Sequence, residues 1–245
     1  MIVFIPCAGL GTRLRPLTDH CPKALVEYQG KPLLAHLLDR LQAVGCRRFV
    51  LNLHHFPDML RRFAQTYARE NDIEIGFSDE SDVLLDTGGA LAHALPLFTG
   101  ESEVLVHNVD VFDNLVPADL YGPFVRRQAD ALLSVRKRDS SRYLYADADG
   151  RLAAWKNLKS GEVKGRVIEP QWKSFAFSGI HLLKTSLIAD WADLYGRNNP
   201  FSVIDAYLAS ASSGKIYLEE HKGGYWKDMG KMADFNDPLP EEGRA

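Results

Sequence analysis

Gly9, Gly11, Arg13 and Lys23 lie close together just after the apolar run Ile2-Val3-Phe4-Ile5. Glycines at 9 and 11 let the backbone approach an anion closely and leave several N–H donors converging on it. Arg13 offers a planar fork for bidentate phosphate contact, and Lys23 a compact point charge. A buried strand that delivers a glycine loop, followed by fixed cations, is suited to holding a triphosphate. Two commoner glycine motifs are excluded. No stretch reads G-x-x-x-x-G-K-[ST], so the chain has no P-loop. Gly9-Leu10-Gly11-Thr12-Arg13-Leu14 places leucine where a dinucleotide fingerprint needs a third small residue, and Arg13 and Arg15 do not suit a neutral NAD pocket.

Two carboxylates stand out further along. Asp110 ends the run Val104-Leu105-Val106-His107-Asn108-Val109-Asp110, an apolar strand delivering a carboxylate where ligands bind in open α/β sheets. Asp228 lies in the aromatic-glycine segment Tyr225-Trp226-Lys227-Asp228-Met229-Gly230. Read singly, either aspartate also fits a helix cap or a surface charge. Gly88-Gly89 fits a helix start. Phe177-Ser178-Gly179-Ile180 reads as a core strand with a bulge at Gly179. Asp113 is expected to face solvent, and Asp79, Glu80 and Asp82 to form a solvated loop. His54-His55 has no metal-ligand spacing and reads as structural, and Cys7 as a small buried filler. Trp155, Trp172 and Trp226 read as core or pocket walls. No Ser-His-Asp or Cys-His set is evident.

The elements that must position these groups alternate. Strands are expected at 2–6, 49–53, 73–77, 104–106 and 131–135, with helices at 33–44, 58–70, 88–95 and 120–128 between them. Pro32 suits a first helical turn, Gly45 a stop, and Asp58 a cap. This βαβ series predicts an α/β fold with a doubly wound, mostly parallel sheet. After residue 135 the character changes. A hairpin is expected around Asp149-Gly150, further strands at 163–168 and 174–183, and helices at 186–194 and 202–209. The expected organisation is a single domain over 1–235. Residues 1–135 form a nucleotide-binding half, 136–235 an acceptor-binding half with a small β-rich subregion, and 236–245 a loose tail.

The 245 residues carry a net charge of -3, which gives no reason to expect nucleic-acid binding through a general basic field. No apolar stretch approaches the ~20 residues of a membrane span, and no signal-peptide pattern opens the chain. The 3 cysteines lack C-x-x-C spacing, so neither a disulfide framework nor a zinc site is indicated, and a cytoplasmic location is expected.

The segment from Ala8 through Thr18, with Pro22, Lys23 and Leu25, resembles the nucleotide-binding signature of the sugar-1-phosphate nucleotidyltransferases, which reads L-A-A-G-x-G-T-R-L-x-P-L-T and then P-K-x-L. The resemblance departs at Cys7, where the family usually has alanine, and extends over nearly the whole chain. It implies a Rossmann-like, glycosyltransferase-A-like fold and an enzyme that joins an NTP to a sugar 1-phosphate, releasing pyrophosphate. It implies nucleotide contacts at Ala8, Gly9, Gly11, Thr12, Arg13 and Lys23, and base contacts at Gly88 and Gly89. Arg13, Lys23 and Asp110 are the implied catalytic residues. Asp110 and Asp228 are the implied Mg2+ ligands, although Val109 stands where the family usually has glycine. Asn108, Ser178 and Gly179 are implied at the acceptor. The family's acceptor lysine has no clear counterpart; Lys156, Lys164 and Lys173 are the candidates. The short length and segment order are most similar to the branch that uses UTP and N-acetylmuramate 1-phosphate in cell-wall recycling. Mannose- and heptose-1-phosphate guanylyltransferases and phosphocholine cytidylyltransferases share the pattern. A homologue that binds nucleotide without turnover remains an alternative, as Val109 and the unplaced lysine would allow.

Overall fold

The computed structural model describes residues 1–236. In the first half, β1 (Ile2–Ile5) leads through three short 3-10 turns to the two-residue strands β2 (Glu27–Tyr28) and β3 (Lys31–Pro32). There follow α1 (Leu33–Ala43), β4 (Arg48–Leu53), α2 (Pro57–Asn71), β5 (Glu74–Asp79), α3 (Asp86–Ala94), β6 (Glu103–His107) and β7 (Val111–Asp113). Then come α4 (Pro117–Arg126) and β8 (Ala131–Arg136). The second half holds the hairpin β9 (Arg142–Ala146) and β10 (Leu152–Asn157), then β11 (Val163–Gly165) and the long β12 (Lys173–Lys184). It ends with α5 (Thr185–Tyr195), α6 (Val203–Ser210), β13 (Ile216–Glu220) and β14 (Trp226–Asp228).

β5, β4, β1 and β6 run parallel in that order. β12 is antiparallel to β6 on one edge and to β8 on the other, and β13 is parallel to β8. The central sheet is therefore mixed and mostly parallel, as the βαβ series predicts, and β12 is a reversed strand that the periodicity does not show. The start of β12 also pairs with β9, and β9, β10 and β11 continue as the small antiparallel region expected after residue 135.

A strand buried on both faces must be apolar at every position, and β1 is. Ile2 and Phe4 pack into the layer holding α3, α5 and α6, where Leu91, Trp191 and Tyr207 are fully buried. Val3 and Ile5 face the opposite layer, against Leu34 and Leu38 of α1 and Leu60 of α2. Chain order reverses at β1, whose neighbours are β4 and β6. The loops after β1 and β6 thus flank the switch point, where ligands enter open α/β sheets.

The helix over 58–70 forms, but Asp58 is not its cap. Phe56, with a left-handed φ of 53°, occupies that position, and Asp58 lies in the first turn behind Pro57. The expected strand over 163–168 is limited to β11. From residue 237 the expected tail lies outside the described residues.

Asp113 does not face solvent. It is 1% exposed, ion-paired to Arg40 Nη2 at 3.1 Å, 2.9 Å from His107 Nε2, and accepts the Leu115 N–H at 2.8 Å. Burial pushes its carboxyl up, but His107, Arg40 and the Leu115 amide together hold it below the ordinary carboxylate value. A lowered pKa adds stability that is complete above the ordinary carboxylate range and lost as pH falls through the folded value. Asp113→Asn is expected to cost about 2–3 kcal/mol near neutral pH. In urea unfolding across a pH series, its gap from the parent protein should close below about pH 4.

Candidate active site

Pro6, Cys7, Ala8 and Gly9 form one wall of a cleft of about 730 Å3, with Arg13 and Lys23 beside them. Asn108, Val109 and Asp110, which follow β6, line the same cleft, as do Asp86, Thr87 and Ala90 of α3. Both loops at the switch point therefore open into the same cleft. Its volume suits a nucleotide-sized ligand.

The glycine loop is set from below. Asn52 of β4 is buried, and its Oδ1 accepts the N–H of Cys7 at 2.6 Å and of Ala8 at 3.2 Å. Its Nδ2 donates to Glu80 Oε1 at 2.9 Å, and Glu80 Oε2 accepts the Leu85 N–H at 3.3 Å. Glu80 is thus buried and structural, correcting the expectation of a solvated loop; burial raises its carboxyl pKa. Through Asn52 and Glu80, the glycine loop and the lead-in to α3 are fixed to each other. Asn52→Ala would orphan buried partners on three sides and should lower stability by about 2–3 kcal/mol in urea titration.

Gly11 takes a left-handed φ of 63°, and a Cβ there would come within 2.8 Å of Thr18 Cγ2. At Gly9 a Cβ would meet no protein atom within 4 Å. Gly11 is thus required by the turn itself, whereas Gly9 leaves space on the cleft side. Thr12 opens the following 3-10 turn and is exposed outside the cleft. Cys7 is buried, and burial drives its thiol pKa well up, consistent with an inert filler.

Asp110 and Asp228 are far apart in sequence and adjacent in space. β14 pairs with β7 so that Asp228 stands opposite Val111, and the Met229 N–H donates to the Asp110 carbonyl at 2.8 Å. Burial and then the negative charge of Asp110 raise the Asp228 carboxyl; Lys23, Arg13 and the Gly230 amide oppose that shift, and the net direction is upward. Lys23 Nζ is ion-paired to Asp110 Oδ2, with both side chains largely buried. Asp228 Oδ1 is buried without a hydrogen-bond partner.

The motif around Asp228 has a physical reading. Trp226 Nε1 donates to the Ser178 carbonyl at 2.9 Å, tying the ribbon to β12. A Cβ on Gly230 would lie 2.7 Å from Arg13 Nη2 and 2.6 Å from Asp228 Oδ1. Glycine at 230 is what lets the guanidinium and the carboxylate share one corner. Two carboxylates that repel each other, with an orphaned buried oxygen and two cations alongside, fit a hard divalent cation that takes its remaining ligands from phosphate and water. Val109 does not disturb this arrangement: its side chain packs in the core and its backbone lies outside the left-handed region.

The other expected site residues are distributed unevenly. Asn108 lines the cleft, and its N–H donates to the Gly179 carbonyl at 3.0 Å. Gly179 has φ 77° at a bulge in β12, and a Cβ there would meet Asn108 Nδ2 at 2.7 Å. Ser178 is buried beneath, and its hydroxyl has no hydrogen-bond partner. Gly88 and Gly89 are buried at the start of α3, and both amides donate to the Phe201 carbonyl, at 2.9 and 3.2 Å. A Cβ on Gly88 would strike the Phe201 ring at 2.4 Å, and one on Gly89 the Asn199 carbonyl at 2.4 Å. Close packing with that segment requires both glycines, and the cleft surface at this end comes from Asp86, Thr87 and Ala90. Lys164 lines a second cavity next to the cleft, together with Arg138 and Arg142. Neither Lys156 nor Lys173 lines either space.

Sequence reasoning did not find Asn52, Glu80, Arg138 or Arg142. Asn52 had a signal, as a polar residue of low strand preference inside the run Phe49–Leu53.

A glycine loop at the switch point of a mostly parallel sheet, with cations and a carboxylate pair around it, defines a nucleotide-binding α/β enzyme. The nucleotidyl transferase family model matches residues 4–241, and the chain belongs to that family. It is 34% identical over 228 residues to N-acetylmuramate alpha-1-phosphate uridylyltransferase of Caulobacter vibrioides, covering 88% of this chain and 86% of that protein. It is 29% identical over 240 residues to mannose-1-phosphate guanyltransferase beta-A of Xenopus laevis, covering 96% of this chain and 62% of that longer protein. Among solved structures, HddC from Yersinia pseudotuberculosis complexed with GMP-PN superposes with a TM-score of 0.72 at 27% identity, covering 96% of each chain. The chain is a nucleotidyltransferase, as the motif from Ala8 to Lys23 implies. Among the described residues no helix is long and apolar enough to cross a membrane.

Proposed function

We propose that the protein transfers a uridylyl group from UTP to N-acetylmuramate 1-phosphate in a Mg2+-dependent reaction, releasing pyrophosphate. The observation that carries the reading is the convergence of Arg13, Lys23, Asp110 and Asp228 at the end of the glycine loop. A sugar 1-phosphate is mostly dianionic at neutral pH, its second pKa being ~6, so its oxygen needs no general base. The task left is to bring two polyanions into line and to offset charge at the α-phosphorus.

Backbone amides of Gly9 and Gly11, with Arg13, hold the β- and γ-phosphates that leave as pyrophosphate, while Ala8, its own amide held by Asn52, and Thr12 flank that loop. Lys23 lies over the α-phosphoryl group and the incoming phosphate. Asp110 and Asp228 would hold the metal, which when bound would supply positive charge to the phosphate oxygens. The base lies against the first turn of α3 near Gly88 and Gly89. Asn108, backed by Ser178 and Gly179, faces the acceptor.

The choice of UTP and N-acetylmuramate 1-phosphate is supported by the relative at 34% identity, whose length this chain nearly matches. Guanylyl transfer to a hexose 1-phosphate is the second reading, favoured by the relative named for mannose 1-phosphate and by the neighbour complexed with GMP-PN. Pyrophosphate release with Mg2+ separates them, with UTP, GTP and CTP crossed against N-acetylmuramate 1-phosphate, mannose 1-phosphate and phosphocholine. Release only from UTP with N-acetylmuramate 1-phosphate is expected. Release from GTP with mannose 1-phosphate would select the second reading. Silence from a folded protein that still binds nucleotide would contradict both.

A further inference from the structure

A cavity of about 280 Å3 adjoins the cleft, and Arg142 lines both. The cavity therefore gives an acceptor whose phosphate reaches Lys23 a place for its sugar. Trp155 and Leu144 give the cavity an apolar wall of the kind a sugar ring packs on. The cavity also carries charge that a neutral sugar does not use. Lys164 is matched by Asp205, with Nζ 2.9 Å from Oδ1. Arg138 is matched by nothing of the kind. Its guanidinium lies 4.0 Å over the Trp226 ring, its Nη2 donates to the Phe177 carbonyl at 3.0 Å, and its Nε is buried with no partner. It feels the charge of Asp228, but among the described residues no carboxylate lies within ion-pair distance of it. A stacked, partly desolvated guanidinium is a preformed receptor for a planar anion.

We propose that Arg138 reads a carboxylate on the acceptor, so that the preferred sugar 1-phosphate carries a second anionic group, as a lactyl ether or a uronic acid does. This rests on the transferase reading above. Arg142, at the mouth shared with the cleft, serves the acceptor phosphate, and Arg138 sets specificity.

The test compares kcat/KM for two matched pairs, using the nucleoside triphosphate that the enzyme accepts. The pairs are N-acetylmuramate 1-phosphate against N-acetylglucosamine 1-phosphate, and glucuronate 1-phosphate against glucose 1-phosphate. One carboxylated sugar should exceed its neutral counterpart by about 30-fold. Which pair shows the preference tells where on the ring the carboxylate sits. Arg138→Gln should bring that ratio close to one, whereas Arg142→Gln should lower both members of the pair together and keep the ratio. A parent ratio near one in both pairs would overturn the inference and leave the transferase reading intact. So would a ratio that survives Arg138→Gln or collapses only in Arg142→Gln. No transfer to any sugar 1-phosphate would remove the underlying reading and the inference with it.

Discussion

Asp110→Asn lowers turnover by about 100- to 1,000-fold while the protein stays folded. The side chain keeps its size, and the backbone carbonyl that accepts the Met229 N–H is untouched. The substitution removes the negative charge. Lys23 loses its ion-pair partner, and the carboxylate pair becomes a single carboxylate. The Asp228 carboxyl, raised by burial and by Asp110, moves back toward its ordinary value. Weaker metal binding is expected as well, so some activity should return at high Mg2+. Steady-state kinetics over a Mg2+ series, with circular dichroism as the folding control, would show this. Near-parental turnover from the folded variant would rule Asp110 out as a ligand.

Lys23→Met has a comparable effect, about 100-fold or more on kcat. Methionine keeps most of the stem volume and removes the cation. Asp110 and Asp228 then face each other without the Lys23 charge that helps to offset them. If Lys23 acts on the α-phosphoryl as charge shifts toward the leaving pyrophosphate, kcat should fall more than KM rises. A variant that raises KM and leaves kcat alone would place Lys23 on the ground-state phosphates only.

The legibility of this chain follows from how local each signal is. β1, α1 and β4 were readable because an apolar run or helical spacing is a property of consecutive residues. The hairpin around Gly150 was readable for the same reason, and Gly150 has the positive φ such a turn needs. The reversed direction of β12 was not readable, because its pairing with both β6 and β8 is set by a long crossover. The pairing of β7 with β14 escaped as well. Strands of 3 residues have no periodicity to detect, yet this ribbon brings Asp110 beside Asp228.

Charge was the least legible quantity. Asp113 and Glu80 read as solvent-facing because acidic residues usually are. Both are buried against partners that include one distant in sequence, Arg40 beside the nearer His107 in one case and Asn52 in the other. Gly88 and Gly89 looked like close-approach glycines, and they are, but the backbone they approach is that of residues 199–201. A sequence shows that a glycine needs room without showing what fills it.

The most direct measurement is an anomalous difference map from crystals grown with Mn2+ and a UTP analogue resistant to cleavage between the α- and β-phosphates. The expected result is one metal peak, about 2.1 Å from an oxygen of Asp110 and of Asp228, with the phosphates against residues 8–13. A metal peak elsewhere, or triphosphate bound away from the glycine loop, would contradict the assignment of this cleft as the site of nucleotidyl transfer.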